Sequence, residues 1–195
     1  MSHDPPHLVV DGHPDPHGEH FVHGLATAYR EAAMAAGHEL RTIVIASLDF
    51  PLLRSPEEFQ RGLAPKAIAA AQSDIEWANH LAIFYPLWLG SMPALTKAFF
   101  EQALRPGFAF GPAKGRGLPQ QKLKGRSARV VVTMGMPSYF YRWFYRAHSL
   151  KSFERNILHF CGIRPVRATV VGMVESKATR EKALRAMRGF GAKAA

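Results

Sequence analysis

The sequence predicts one α/β domain, a three-layer sandwich in which a parallel sheet lies between two layers of helices. Five apolar runs alternate with segments whose apolar residues recur at helical spacing, the pattern of repeated strand–helix crossovers. The runs show little polar alternation, as expected of strands covered on both faces. At 195 residues and 47% hydrophobic content, the chain can bury about 70% of the surface its unfolded form exposes, so a single domain over 1–195 suffices.

HLVVDG at residues 7–12 is a short apolar run ending in glycine, and Phe21 to Ala36 is apolar at helical spacing, giving strand, loop and helix. Gly37 ends that helix, and HELRTIVIA reads as a second strand. SLDFPLLRSPEEFQRGLAP is a proline-bearing connection, followed by a helix through Ala67 to Trp77 and a buried strand, LAIFY, at 81–85. After Pro93, ALTKAFFEQAL sets Leu95, Ala98, Phe99, Ala103 and Leu104 on one helical face. Arg105 to Gly125, rich in glycine, proline and lysine, reads as a loop or lid. ARVVVTMG is the next strand, LKSFERNILHF a helix, VRATVVGMV the last strand and ATREKALRAMRGF a closing amphipathic helix. Right-handed crossovers and this length favour a flavodoxin-like order 2-1-3-4-5, which gathers ligands beyond the carboxyl ends of the strands.

A net charge of +10 favours acidic partners, from nucleic acid and anionic membranes to small phosphorylated ligands. No apolar run reaches the roughly 18 to 20 residues of a bilayer span, and MSHDPPH lacks a basic-then-apolar leader pattern. A cytoplasmic protein without membrane insertion is expected. The single cysteine, Cys161, excludes an intramolecular disulfide, and its setting in ILHFCG predicts a buried, inert thiol.

Three loops fall at the carboxyl ends of the strands. The first, GHPDPHGEHFVHG, leads to a helix N-terminus, where unpaired N–H groups favour a phosphate and histidines add donors or charge. It matches neither GxGxxG nor GxxxxGK[ST]. His13, His17, His20 and His23 are spaced four, three and three, which would put the last three on one helical face. No carboxylate or cysteine stands at matching spacing, so no metal is expected, and His20 and His23 read as phosphate and surface neighbours. The second loop exposes Pro86, Leu87, Trp88 and Leu89 at the rim, where they cover a flat ligand ring or a partner chain, or fold back into the core. The third, MPSYFYRWFYRAHSLKSF, crowds aromatics around Arg142 and Arg146. Such a wall stacks single-stranded nucleic acid, a quinone or a nicotinamide. Its place beside the other two loops favours the small planar ligand, and no nucleic acid is expected.

YPLWLGSMPALTKAFFEQALRPGFAF and NILHFCGI resemble the NAD(P)H quinone reductase family, the DT-diaphorase-like flavoproteins. These include ancillary flavoproteins of glutathione-gated potassium efflux systems. The likeness runs from about His7 to Glu175. It implies a homodimer with flavin at the subunit interface, hydride transfer from NAD(P)H to the flavin, then ping-pong reduction of a quinone in the vacated site. A regulatory flavoprotein docking on such a transporter is the alternative it implies. By position, His13, His20, Phe21 and Val22 match the phosphate-side stretch, and Pro86, Leu87, Trp88 and Leu89 the ring loop. Thr133, Met134, Gly135 and Met136 match the segment beneath the polar edge of the flavin, where Gly135 and Met136 amides would stabilise negative charge. The relaying tyrosine and histidine match Tyr141, or Tyr139, with His148.

The chain departs from the family in reading HFV where many relatives have Ser-Phe-Asn, in carrying Met136 in place of a second glycine, and in placing its ring-loop aromatic at Trp88 rather than at Leu89. The shorter bacterial members resembled are FMN proteins, so FMN is expected, with FAD as the alternative. The basic segment with Lys114, Arg116, Lys122, Lys124 and Arg126 is either a preference for NADPH or a solvated loop.

Overall fold

A computed structural model of the chain describes residues 6–113, 117 and 119–193. In chain order its elements are β1 (His7–Asp11), α1 (Phe21–Ala35), β2 (Leu40–Val44), α2 (Pro56–Arg61), α3 (Lys66–Trp77), β3 (His80–Pro86) and α4 (Ala94–Ala103). There follow β4 (Phe110–Ala113), β5 (Pro119–Gln121), β6 (Ser127–Thr133), α5 (Ser138–Trp143), α6 (His148–Ser152), α7 (His159–Cys161), β7 (Val166–Val171) and α8 (Lys177–Ala192). Five strands form one parallel sheet in the order β2-β1-β3-β6-β7, the flavodoxin-like arrangement.

Alternation along the strands divides the core in two, because successive side chains leave opposite faces of a sheet. Leu8, Val10, Ile83, Tyr85, Val130 and Val132 pack with Ile68 and Ile75 of α3 and Phe99 and Phe100 of α4. Val9, Ala82, Phe84 and Val131 face Leu25 and Tyr29 of α1 and Ala183 and Met187 of α8. α1 and α8 approach so closely that a Cβ on Gly191 would lie 2.2 Å from the Tyr29 carbonyl oxygen.

The central strands are apolar on both faces as expected, but the two edge strands are not. β2 and β7 leave Arg41, Thr42, Arg167 and Ala168 exposed, because an edge strand is only partly covered by helices. The proline-bearing connection contains α2, a helix beyond the expected set, and Ser55 caps its start. The Ser55 hydroxyl accepts from the Glu58 amide at 3.1 Å while the Glu58 carboxylate accepts from the Arg54 amide at 2.8 Å. Within the third loop, α5 starts at Ser138, right after Pro137, and from His148 the chain is helical through Cys161, with a π-helical stretch over Phe153–Leu158.

The segment read as a loop or lid carries the antiparallel pair β4–β5. It joins the C-terminus of α4 to the N-terminus of β6, at the end of the sheet opposite the three loops. Lys122 bonds the Gly107 carbonyl, and Arg126 bonds the Ile75 and Glu76 carbonyls at 3.1 and 2.6 Å, so within one chain these cations do not cover the rim. Lys124 lines a cleft of about 650 Å³ with Arg155 and Arg164 at that same far end. Lys114 and Arg116 lie outside the described residues.

Candidate functional site

Each rim loop is tied down by backbone hydrogen bonds at its root. After β1, the Gly12 amide donates to the Phe84 carbonyl at 2.7 Å and its carbonyl accepts from Thr96 Oγ1 at 2.6 Å. A Cβ at Gly12 would lie 2.8 Å from the Phe84 oxygen, so only glycine fits between β3 and α4. After β3, the Leu87 amide donates to the Thr133 carbonyl at 2.7 Å, and Trp88 and Ser91 exchange backbone bonds of 2.8 and 3.0 Å. That tight turn sends the Leu89 side chain into solvent and exposes Trp88, while Pro86 and Leu87 stay half-buried.

After β6, Thr133 and Met134 are buried, whereas Gly135 is exposed with nothing within 4 Å of where its Cβ would be. Among the described residues the Gly135 and Met136 amides have no hydrogen-bond partner, while the Met136 carbonyl accepts from the Met173 amide at 3.1 Å. The tyrosines of α5 differ. Tyr139 is 72% exposed; Tyr141 is fully buried, its hydroxyl 2.8 Å from Ser149 Oγ and accepting from the Leu150 amide at 3.3 Å. His148 is exposed, with Nδ1 3.2 Å from the Tyr145 carbonyl and its ring 4.0 Å from the Cβ position of Gly90. Loops two and three therefore meet, and His148 belongs to the same rim as Trp88.

The first loop carries three histidines in contact. His13 and His20 stack at 3.9 Å, His23 lies 5.1 Å from His13 and 5.6 Å from His20, and His13 meets Trp88 edge-on at 6.1 Å. The grouping differs from the expected helical face. α1 begins at Phe21, so His17 stays in the loop, its amide donating to Asp15 Oδ1 at 2.9 Å. Carboxylate partners also exist where linear spacing showed none. Asp11 Oδ2 lies 2.6 Å from His23 Nδ1 and Asp15 Oδ2 lies 3.0 Å from His20 Nε2, because the strand-to-helix reversal returns the chain beside residue 11. Burial lowers the His13 ring below its ordinary 6.5, and the charges of His20 and His23 add to this. The hydrogen bond from the His20 ring lowers the Asp15 carboxyl.

Phe21 and Val22 pack inward, Val22 into the core and Phe21 beneath the Arg180 guanidinium at 4.8 Å, so they offer a ligand only their main-chain N–H groups. No side chain caps that first turn, and its first helical bond is Gly24 to His20 at 3.3 Å. Among the described residues no group of three His, Cys, Asp or Glu side chains is arranged to hold a metal ion.

Backbone strain gathers at the same rim. Among the described residues, the non-glycine ones with left-handed backbone are Leu89 (φ 46°), Arg146 (52°), Ala147 (49°) and Met173 (55°), all in loops at the carboxyl ends of β3, β6 and β7. Such conformations cost about 1–3 kcal/mol each and concentrate at functional sites. The exposed Tyr139, Trp143 and Phe144 stand beside them. An anion-receptive loop, an exposed ring loop, free amides at Gly135 and Met136 and an aromatic wall thus share one edge of the sheet. This donor set suits a planar ligand bearing a phosphate.

The chain belongs to Flavodoxin_2, a family of flavodoxin-like fold, which it matches over residues 6–190. It is 25% identical over 181 residues to an uncharacterized NAD(P)H oxidoreductase of Haemophilus influenzae, covering 89% of this chain and 88% of that protein. It superposes on an NAD(P)H:quinone oxidoreductase from Methanothermobacter marburgensis with a TM-score of 0.81 at 22% identity, covering 98% and 100% of the two chains. An FMN-dependent NADH-azoreductase from Bacillus anthracis, solved with FMN, gives 0.78 at 14% identity with the same coverage. At such identities the superpositions establish the shared fold. Among the described residues no helix is long and apolar enough to cross a membrane.

Proposed function

We propose that this member of the flavodoxin-like family is an FMN-dependent NAD(P)H oxidoreductase that reduces a quinone-like acceptor by a ping-pong cycle, as a cytoplasmic homodimer. The observation that carries the reading is the meeting of the histidine loop, the Trp88–Leu89 loop and the open Gly135 at one rim. The names of the relatives, an NAD(P)H oxidoreductase, a quinone oxidoreductase and an FMN-dependent azoreductase, support the same chemistry.

In this reading FMN, when bound, supplies two-electron hydride chemistry, and the chain supplies binding, orientation and charge. His13, His20 and the main-chain N–H groups of Phe21 and Val22 hold the phosphate. Pro86, Leu87, Trp88 and Leu89 flank the ring, and Thr133 and Met134 floor it. The Gly135 and Met136 amides, unpartnered among the described residues, would supply charge-stabilising dipoles at its polar edge. Tyr139 and His148, both exposed, are the pair free to exchange protons with an acceptor, whereas Tyr141 positions the start of α6 through Ser149 and Leu150. The exposed Trp143 and Phe144 are apolar surface that a second copy would cover.

The test is spectroscopic. Purified protein should carry, or take up, a yellow flavin identified as FMN on extraction, be bleached by NADH or NADPH, and regain colour with menadione. A colourless protein indifferent to added FMN rejects the reading.

A further inference from the structure

The histidine loop holds its charges in an arrangement that the phosphate assignment alone does not explain. The two ring nitrogens of His23 lie 2.6 Å from Asp11 Oδ2 and 3.0 Å from the Asp15 carbonyl oxygen, so both are engaged within the loop. Asp11 Oδ1 accepts from the His13 amide at 3.1 Å. His13, 6% exposed, has Nδ1 3.1 Å from the Asp15 carbonyl oxygen and 3.2 Å from the Asp15 amide, which leaves Nε2 without a partner among the described residues. His20 spends Nε2 on Asp15 Oδ2 at 3.0 Å, and Asp15 Oδ1 accepts from the His17 amide at 2.9 Å.

Asp15 thus sits against a cluster of three imidazoles, half-exposed and bonded to the half-exposed His20 ring, whereas Asp11 is buried under His23. An anion arriving at His13 and His20 meets a negative charge already in its place. We propose that His13, His20 and His23 form a phosphate cradle in which Asp15 is an anionic placeholder: the phosphate of the cofactor displaces the Asp15 carboxylate from His20, so that FMN competes with the loop's own carboxylate whereas riboflavin does not. The inference rests on the flavin reading above. Exchange of one anion for another at His20 keeps the local charge near balance, whereas binding beside a retained carboxylate would set two like charges within hydrogen-bond reach of one ring. The Asp15 side chain is half-exposed and released to water at little cost, while the buried Asp11 stays in contact with His23.

Flavin-free full-length protein is titrated with FMN and with riboflavin, following quenching of flavin fluorescence. Wild type should bind FMN more tightly than riboflavin. His20→Asn should weaken FMN about fivefold, as loss of one charge-assisted hydrogen bond does, and leave riboflavin unchanged. Asp15→Asn, which keeps an acceptor for the His17 amide, should tighten FMN about threefold and leave riboflavin unchanged. Asp15→Ser repeats that test with a different acceptor. Weaker FMN binding in both Asp15 variants, or unchanged FMN binding in His20→Asn, overturns the placeholder. Equal affinity of wild type for FMN and riboflavin overturns it too, while leaving a flavin site intact. Failure of both flavins to bind rejects the flavin reading itself.

Discussion

The two ends of the sheet each gather three histidines, and the two trios behave in opposite ways. At the carboxyl end, His13, His20 and His23 are interleaved with Asp11 and Asp15, with His20 and His23 partly open to solvent. At the amino end, the His7 ring lies 5.4 Å from that of His38 and 5.2 Å from that of His80, with His7 3.2 Å from the Tyr29 hydroxyl and His80 2.7 Å from Ser127 Oγ. Burial, helped by the charges of His7, Arg129 and Arg167, pushes His80 down to about 3. One trio lies open to an arriving anion, and in the other burial holds the His80 ring neutral. Residue type does not decide this; the dielectric and the nearest charges do.

The comparison breaks first on acid stability, where the largest effect is expected. A ring at about 3 in the fold and 6.5 when unfolded stabilises the native state above 6.5, and the contribution is lost as pH falls from 6.5 toward 3, because the unfolded chain takes the proton first. Urea unfolding should show stability falling by several kcal/mol between neutral and strongly acid pH, on the order of 1.4 kcal/mol for each pH unit crossed between those two values. His80→Asn should flatten that profile while lowering stability at pH 7. Equal unfolding midpoints at pH 7 and 4 would show that burial does not hold the His80 ring below its ordinary value.

The next effect sharpens the carboxyl end. A Cβ at Gly172 would lie 2.4 Å from the Ser138 amide nitrogen and 2.5 Å from the Met136 carbonyl oxygen, so Gly172→Ala must shift the backbone that presents Gly135 and Met136. We expect about a tenfold loss of FMN affinity with a stability loss of about 1–3 kcal/mol. Flavin content and melting temperature read the two separately, and unchanged FMN affinity would remove those amides from the site. The smallest effect is at the amino end. Burial pushes the Cys161 thiol up to about 12, so a thiol-specific reagent should leave it untouched in the folded protein and label it on unfolding. Rapid labelling of the native state would contradict the packing there.

Much of this was legible in the sequence because it depends on local pattern. LAIFY and ARVVVTMG could only be interior strands, and the spacing of ALTKAFFEQAL could only be a helix. The five-stranded parallel sheet and its order followed from the alternation of such segments with the rules of crossover handedness. The three loops were findable at its carboxyl edge for the same reason. α2 carries a local signal too, in Ser55 and Glu58, and the burial of Cys161 was readable from its neighbours.

Only the tertiary structure decided the rest, where it turns on which distant groups meet. No spacing rule pairs Asp11 with His23 or sets His148 against Gly90, because those contacts are closed by chain reversal and by the packing of whole loops. The basic segment around Lys122 and Lys124 reads in sequence as an NADPH preference or a solvated loop, and the positions of α4 and β6 set it at the far end of the sheet. Tyr139 and Tyr141 are two residues apart and chemically alike, and the turn of α5 makes one of them surface and the other core. The sequence by itself determined the fold and the edge where chemistry belongs, since hydrophobic periodicity is a short-range property. Charge state, exposure and partner choice at that edge are properties of three-dimensional neighbourhoods, and they appeared only when the chain was folded.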